Sequence, residues 1–199
     1  TSGTLLACLP DGTPIGQALP YSRACPDQSH LLQALVPATS PAASISGSLA
    51  RALELLKRVP EPSLLRHQAV WINGWFLQNW RWGEEGNNFR LGWNPQDNEW
   101  DGAISKQRWA AALPSIRPSG TVLGRIDNNL AIELKLPSRI SVVAGTTDSN
   151  AAVLAANPCE ADGVTVLGTT LVMKRFTAKP VTGPGITSHR VGGRWLFGG

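Results

Sequence analysis

The chain is short of cysteine. Cys8, Cys25 and Cys159 are its three, far apart and in no Cys-x-x-Cys or Cys/His spacing. That argues against a disulfide framework or a zinc site, and it suits a reducing compartment. Long apolar runs are missing too, so no segment reads as a membrane span or a signal peptide. Concentrated positive charge is also absent. The formal net charge is +4, yet the longest basic runs are the pairs Lys57-Arg58 and Lys174-Arg175. A nucleic-acid binder gathers its cations along a phosphate track, because affinity comes from counterion release. The expectation is a protein without nucleic-acid or membrane partners, in the cytoplasm, or in a plastid if the source is a plant.

Signatures with fixed spacing are lacking as well. There is no Gly-x4-Gly-Lys-Ser/Thr loop, no Gly-x-Gly-x-x-Gly after a strand, and no Gly-x-Ser-x-Gly elbow. A P-loop kinase, a Rossmann dehydrogenase and a nucleophile-elbow hydrolase are thereby disfavoured. His30, His67 and His189 stand apart in no triad or ligand spacing, and read as surface or packing histidines. The ends lack the polar, frayed character of ordinary termini. Thr1 leads at once into an apolar strand, and Gly199 closes a strand running into a glycine turn. The expectation is a chain cut at both edges, a processed N-terminus being the alternative for the first.

What is present is a hydrophobic content of 42% over 199 residues, ordinary for a globular chain. Residues 4–9 read as a strand, Pro10 to Thr13 as a tight Asp-Gly turn, and 15–21 as the returning strand. Apolar spacing predicts helices at 30–35, 49–57, 67–82, 107–113 and 149–156. The polar stretch 83–101 reads as a long loop. Strands follow at 140–144, 164–167, 171–176, 188–191 and 194–197, the last two joined at Gly192 and Gly193. Mixed strands and helices with glycines at strand ends predict an α/β fold.

Gly-Thr-Thr occurs twice, at 145–147 and 168–170, each time at the end of an apolar strand. Such a turn suits phosphate, since glycine admits close approach and threonine adds a hydroxyl donor. An ordinary hairpin would use the same residues. Asp148 opens a helix, where it serves either as an N-cap or as a carboxylate placed in a cleft; the two roles are compatible. Seven tryptophans, Trp71, Trp75, Trp80, Trp82, Trp93, Trp100 and Trp109, crowd one stretch. Trp71 and Trp75 lie four apart on one expected helix, which favours core, and one or two at most are expected to line a ligand.

Three segments in order resemble the FGGY-family carbohydrate kinases. They are Thr1 to Leu6 with the Asp11-Gly12-Thr13-Pro14 turn and Ala18 to Tyr21, Ala144 to Ser149, and Val166 to Lys174. Asn87 to Gly92 followed by Trp93-Asn94-Pro95 is similar to the family's segment between them. Details are nearest to the cyanobacterial and plant branch of xylulose kinase-like D-ribulose kinases. The resemblance implies a ribonuclease-H-like lobe of the actin-like ATPase fold, truncated at both ends. It implies that residues 1–139 are the remainder of the N-terminal lobe, with the sugar floor and a helical insertion, and that 140–199 start the C-terminal lobe. The implied reaction is ATP-dependent phosphorylation of a free pentulose, D-ribulose ahead of D-xylulose.

By the same resemblance Asp148 takes the sugar hydroxyl proton, while Ser2 and Gly3 touch the ketose beside it. Gly168, Thr169 and Thr170 face the ATP phosphates, and Gly198 and Gly199 begin a glycine turn near the nucleotide. No metal ligand is implied within the chain. Mg²⁺ would be supported by an Asp-x-Gly-Thr hairpin upstream of Thr1, and the adenosine-binding segment would follow Gly199. Arg51 stands where the family has Lys, and Ser22 where relatives often have Asp or Asn. Two rivals remain open: an inactive sugar-binding or structural fragment, and a tryptophan-lined module for carbohydrate or nucleic acid.

Overall fold

A computed structural model describes residues 3–159, 161–167, 171–181, 183 and 185–199. Strand β1, Leu5–Cys8, is buried at every position. Its unbroken apolar run is what a strand covered on both faces requires. Gly12, with φ +86°, turns the chain, and the Asp11 carboxylate accepts from Thr13 N at 2.9 Å. Strand β2, Pro14–Leu19, returns antiparallel as an edge. Helices α1, Ser29–Leu35, and α2, Ser48–Leu56, follow. Leu49, Ala52 and Leu53 of α2 enter one core with Leu5 and Ala7.

The other neighbour of β1 is an unexpected strand, β3, Leu64–His67, antiparallel to it. Its sequence does not alternate, because Arg66 and His67 are buried along with Leu65. Helix α3, Gln68–Leu77, therefore begins one residue later and ends earlier than its apolar spacing suggested.

The polar stretch 83–101 is not a loop. Strand β4, Trp82–Glu84, leads into a single turn, α4, Glu85–Asn88, and a 3-10 turn at Phe89–Leu91. A small hairpin follows, β5, Trp93–Asn94, with β6, Glu99–Trp100, and then α5, Gly102–Ser105. The expected helix at 107–113 is a 3-10 turn, Arg108–Ala112, ahead of Pro114. Strand β7, Ser115–Arg117, pairs parallel with β4. Strand β8, Val122–Arg125, and helix α6, Asn128–Glu133, were not foreseen; β8 pairs with β9, Ser141–Val143.

Helix α7, Asp148–Ala156, then packs on a four-stranded sheet of order β10-β11-β13-β12. Its strands are β10, Gly163–Leu167, β11, Leu171–Thr177, β12, Thr187–Val191, and β13, Arg194–Gly198. Val153 meets Phe176, Val191 and Leu196 in a second, smaller core. Gly192 and Gly193 both have positive φ, as a two-residue hairpin turn demands. The expected α/β class holds.

Buried Arg66 ties three segments together. Its Nη1 donates to Leu65 O at 2.7 Å and Ala112 O at 2.8 Å, and its Nε donates to Trp80 O. Arg66→Leu strands two non-local carbonyls, so urea unfolding should show a loss of about 3 kcal/mol. Leu65→Ala, a cavity in the same strand, should cost about 2–5 kcal/mol.

Candidate active site

The Glu84 carboxylate, at the end of β4, is 2% exposed. It accepts from Gly86 N at 2.6 Å, Asn87 N at 2.9 Å, Asn87 Nδ2 at 2.8 Å and Ser119 Oγ at 2.8 Å. Burial raises its pKa above the usual carboxylate range, and these donors pull the other way. A Cβ on Gly86 would lie 3.1 Å from Glu84 Oε1 and 3.4 Å from Thr147 Cγ2. Glycine thus lets the α4 turn press on the residue that caps α7.

That cap is Thr147. Its backbone is extended, and its Oγ1 accepts from Asn150 N at 3.4 Å. The reading of Asp148 as the N-cap is corrected accordingly: Asp148 is already helical, at the first position of α7. It is exposed, and its Oδ1 accepts from the adjacent Ser149 N at 2.8 Å. An anion is well placed in that first turn, where the helix dipole is positive.

Asn150, fully buried, joins the α7 N-terminus to the sheet. Its Nδ2 donates to Thr146 Oγ1 at 3.3 Å, and its Oδ1 accepts from Lys174 Nζ at 2.7 Å. Burial lowers the Lys174 pKa, and the Asp148 charge opposes that shift. In the sheet Lys174 stands opposite Gly198. A Cβ at Gly198 would lie 2.5 Å from Met173 O, so the close strand approach needs glycine there. Gly199 exchanges backbone hydrogen bonds with Met173 at 3.1 and 3.3 Å.

Gly3, with φ +86°, lies against Tyr21 and Arg51. The Arg51 guanidinium is committed to the backbone: Nη1 donates to Tyr21 O at 3.0 Å, Arg23 O at 3.1 Å and Ser46 O at 2.8 Å. Arg51 thus clamps the loop beyond β2, and Ser22 within that loop is exposed. Ser2, Gly168, Thr169 and Thr170 lie outside the described residues. The structure therefore links Asp148 through Lys174 to Gly198, while Gly3 sits on another element beside Arg51.

The tryptophans mostly pack. Trp71 Nε1 donates to Gly12 O at 2.8 Å, and Trp80 Nε1 to Trp71 O at 3.1 Å. Trp93 and Trp100 meet edge to face at 5.5 Å, and Arg81 and Arg117 lie over Trp82. Trp93 borders a cleft of about 870 Å³ beside Pro37, Phe89, Asn94 and Thr187, and Trp80 borders one of about 400 Å³ beside Arg66 and Gln78. Glu84 and Asn150 escaped the motif reading, and Lys174 entered it only as the end of the Val166 to Lys174 segment, with no role of its own. Lys174 had a signal: it shares the inward face of β11 with Val172 and Phe176, an odd place for a cation. Among the described residues no group of three or more His, Cys, Asp or Glu could hold a metal, and no helix is long and apolar enough to cross a membrane.

No protein-family model matches the chain. Solved structures do. Xylulose kinase from Rhodospirillum rubrum superposes with TM-score 0.82 at 19% identity, over 98% of this chain and 43% of that one. The fold is that of carbohydrate kinases. Plasmodium falciparum glycerol kinase with ADP matches at TM-score 0.79 and 14% identity, over 99% of this chain and 44% of that one. A carbohydrate kinase from Novosphingobium aromaticivorans matches at TM-score 0.78 and 24% identity, over 99% of this chain and 48% of that one. The chain thus spans less than half the length of these kinases. Within it the α/β elements follow the actin-like ATPase arrangement.

His67 gives the site's surroundings a measurable pH dependence. Its Nε2 lies 3.0 Å from Ser48 Oγ, and it is 1% exposed. Burial, then the Arg51 and Arg66 charges, push its pKa down to about 3, against a smaller opposing effect of the Asn88 side chain. The unfolded imidazole takes up a proton near its ordinary value, so the stabilisation is whole above about pH 6.5 and drains as pH falls toward 3. Between pH 6 and 4 the unfolding free energy of the parent should fall about 1.4 kcal/mol per pH unit more steeply than that of His67→Gln. Denaturant titrations at several pH values test this; equal slopes would refute a neutral buried His67.

Proposed function

We propose that this chain forms the sugar floor, the general base and one phosphate loop of an ATP-dependent carbohydrate kinase. The favoured acceptor is a free pentulose, D-ribulose ahead of D-xylulose. The observation that carries the reading is Asp148, an exposed carboxylate at the start of α7 whose capping role Thr147 has taken over. The shared fold with xylulose and glycerol kinases supports it. In this reading residues 1–139 complete a first lobe and 140–199 open a second.

The chemistry asks little covalent work of the protein. The transition state of phosphoryl transfer is loose, and catalysis is mostly positioning and charge stabilisation. Asp148 accepts the proton of a primary hydroxyl as that oxygen bonds to the γ-phosphorus and the bond to ADP breaks. A mild base suffices. Asn150 and Lys174 hold the turn that carries Asp148, through hydrogen bonds to Thr146 and across to β11. Ser2 and Gly3 would touch the ketose. Gly168, Thr169 and Thr170, with Gly198 and Gly199, would face the phosphates. Mg²⁺ bound with ATP would offset phosphate charge; the described residues offer it no ligand cluster, and its protein ligands in this reading lie elsewhere.

The rival reading is sugar binding without turnover. Calorimetry of the chain with ribulose and with ATP separates the two readings. In the whole protein, Asp148→Asn should lower turnover by about 10²–10⁴-fold while sugar affinity stays within about twofold. Near-normal turnover of that variant would remove Asp148 from the mechanism.

A further inference from the structure

Arg66 is 2% exposed, and it takes its charge into the first core. Its Nε and Nη1 are spent on the carbonyls of Trp80, Leu65 and Ala112, while its Nη2 makes no hydrogen bond among the described residues. A carbonyl satisfies an N–H but brings no net charge, so a cation held only by carbonyls is still uncompensated. Burial lowers the Arg66 pKa to about 10, which leaves the guanidinium charged at neutral pH. The group that opposes this shift is the Cys8 thiol, and burial pushes that thiol up to about 11, so it is neutral there. Arg66 enters no ion pair among the described residues.

Arg66 also lines a pocket of about 400 Å³, a volume within the range of about 300–1,000 Å³ usual for small-molecule sites. Its walls differ in character. Leu64, Trp80 and Leu113 make an apolar side, buried or half-buried, whereas Asn79, Arg81 and Ser115 stand exposed at the mouth. No acidic side chain lines it among the described residues. The place is remote from the residues assigned to sugar and phosphate. Leu64 pairs with Cys8 at one end of β1, Gly3 precedes the other end, and Asp148 lies on the helix over the second sheet.

We propose that this pocket binds a small monocarboxylic acid with an apolar body, its carboxylate on Arg66 Nη2 and its body on Leu64, Trp80 and Leu113. One carboxylate supplies the single negative charge that the buried guanidinium lacks. An apolar body covers walls that inorganic phosphate would leave wet. The proposal does not depend on the kinase reading, because it concerns binding at another place and needs no turnover.

Titration of the chain with benzoate, followed by amide NMR and calorimetry, tests it. Saturable shifts are expected at Leu64, Asn79, Trp80 and Ser115 at millimolar benzoate. Benzamide has the body without the charge, and acetate the charge without the body; each should bind about tenfold more weakly, as should inorganic phosphate. Arg66→Met should weaken benzoate binding about tenfold or more. Ala111→Glu, which puts a carboxylate on an exposed wall position, should do the same. Arg194→Gln, which removes a cation lying 3.9 Å over the Phe176 ring on the other sheet, should change nothing. Unsaturable shifts, unchanged affinity in both pocket variants, an equal loss in Arg194→Gln, or benzamide, acetate or phosphate equal to benzoate would each overturn the proposal. If Arg66→Met fails to fold by near-ultraviolet circular dichroism, Ala111→Glu decides alone.

Discussion

Glu84 is cut off from solvent, and four donors from three residues converge on its carboxylate. A buried carboxylate is tolerated only when so satisfied, and here the requirement shapes everything around it. Two of the donors are the backbone N–H groups of Gly86 and Asn87, so the carboxylate forces the chain into the α4 turn. The turn then presents Glu85 to Arg190 on β12 and lays Gly86 against Thr147, the cap of α7. Ser119, beyond β7, is drawn in by the same group. One side chain thereby connects the first core, the second sheet and the helix that carries Asp148.

Buried arginines play the same part elsewhere. Arg51 and Arg66 each direct several guanidinium N–H donors at backbone carbonyls, all but that of Leu65 lying outside the strands. Carbonyls outside the strands have no ladder to satisfy them, and a guanidinium supplies several donors from one rigid plane. This explains why Arg51 is a structural clamp in this chain.

Much of the fold was legible. The β1 hairpin, α2, α7 and the Gly192-Gly193 turn follow from apolar runs, leucine spacing and turn glycines, all local signals. Strand β3 was not legible, because Arg66 and His67 break its apolar pattern and are buried only through partners 14 to 46 residues away. The 83–101 stretch misled for the same reason: its polar residues read as solvated, yet Glu84, Asn87 and Asn88 are buried and hydrogen-bonded together, and buried Glu85 pairs with Arg190. Tryptophan density implied packing with one or two rings at a ligand, and most of the rings pair with other aromatic rings or with arginines.

By itself the sequence determined the α/β class, the strand-to-helix junction that holds Asp148, and the lack of any P-loop or Rossmann signature. These depend on residues adjacent in the chain. Only the tertiary structure decided that Thr147 rather than Asp148 caps α7, that Lys174 binds Asn150, and that Glu84 governs the turn between the two cores. Each of those outcomes turns on which polar group finds a buried partner, and partners are supplied by elements far apart in sequence.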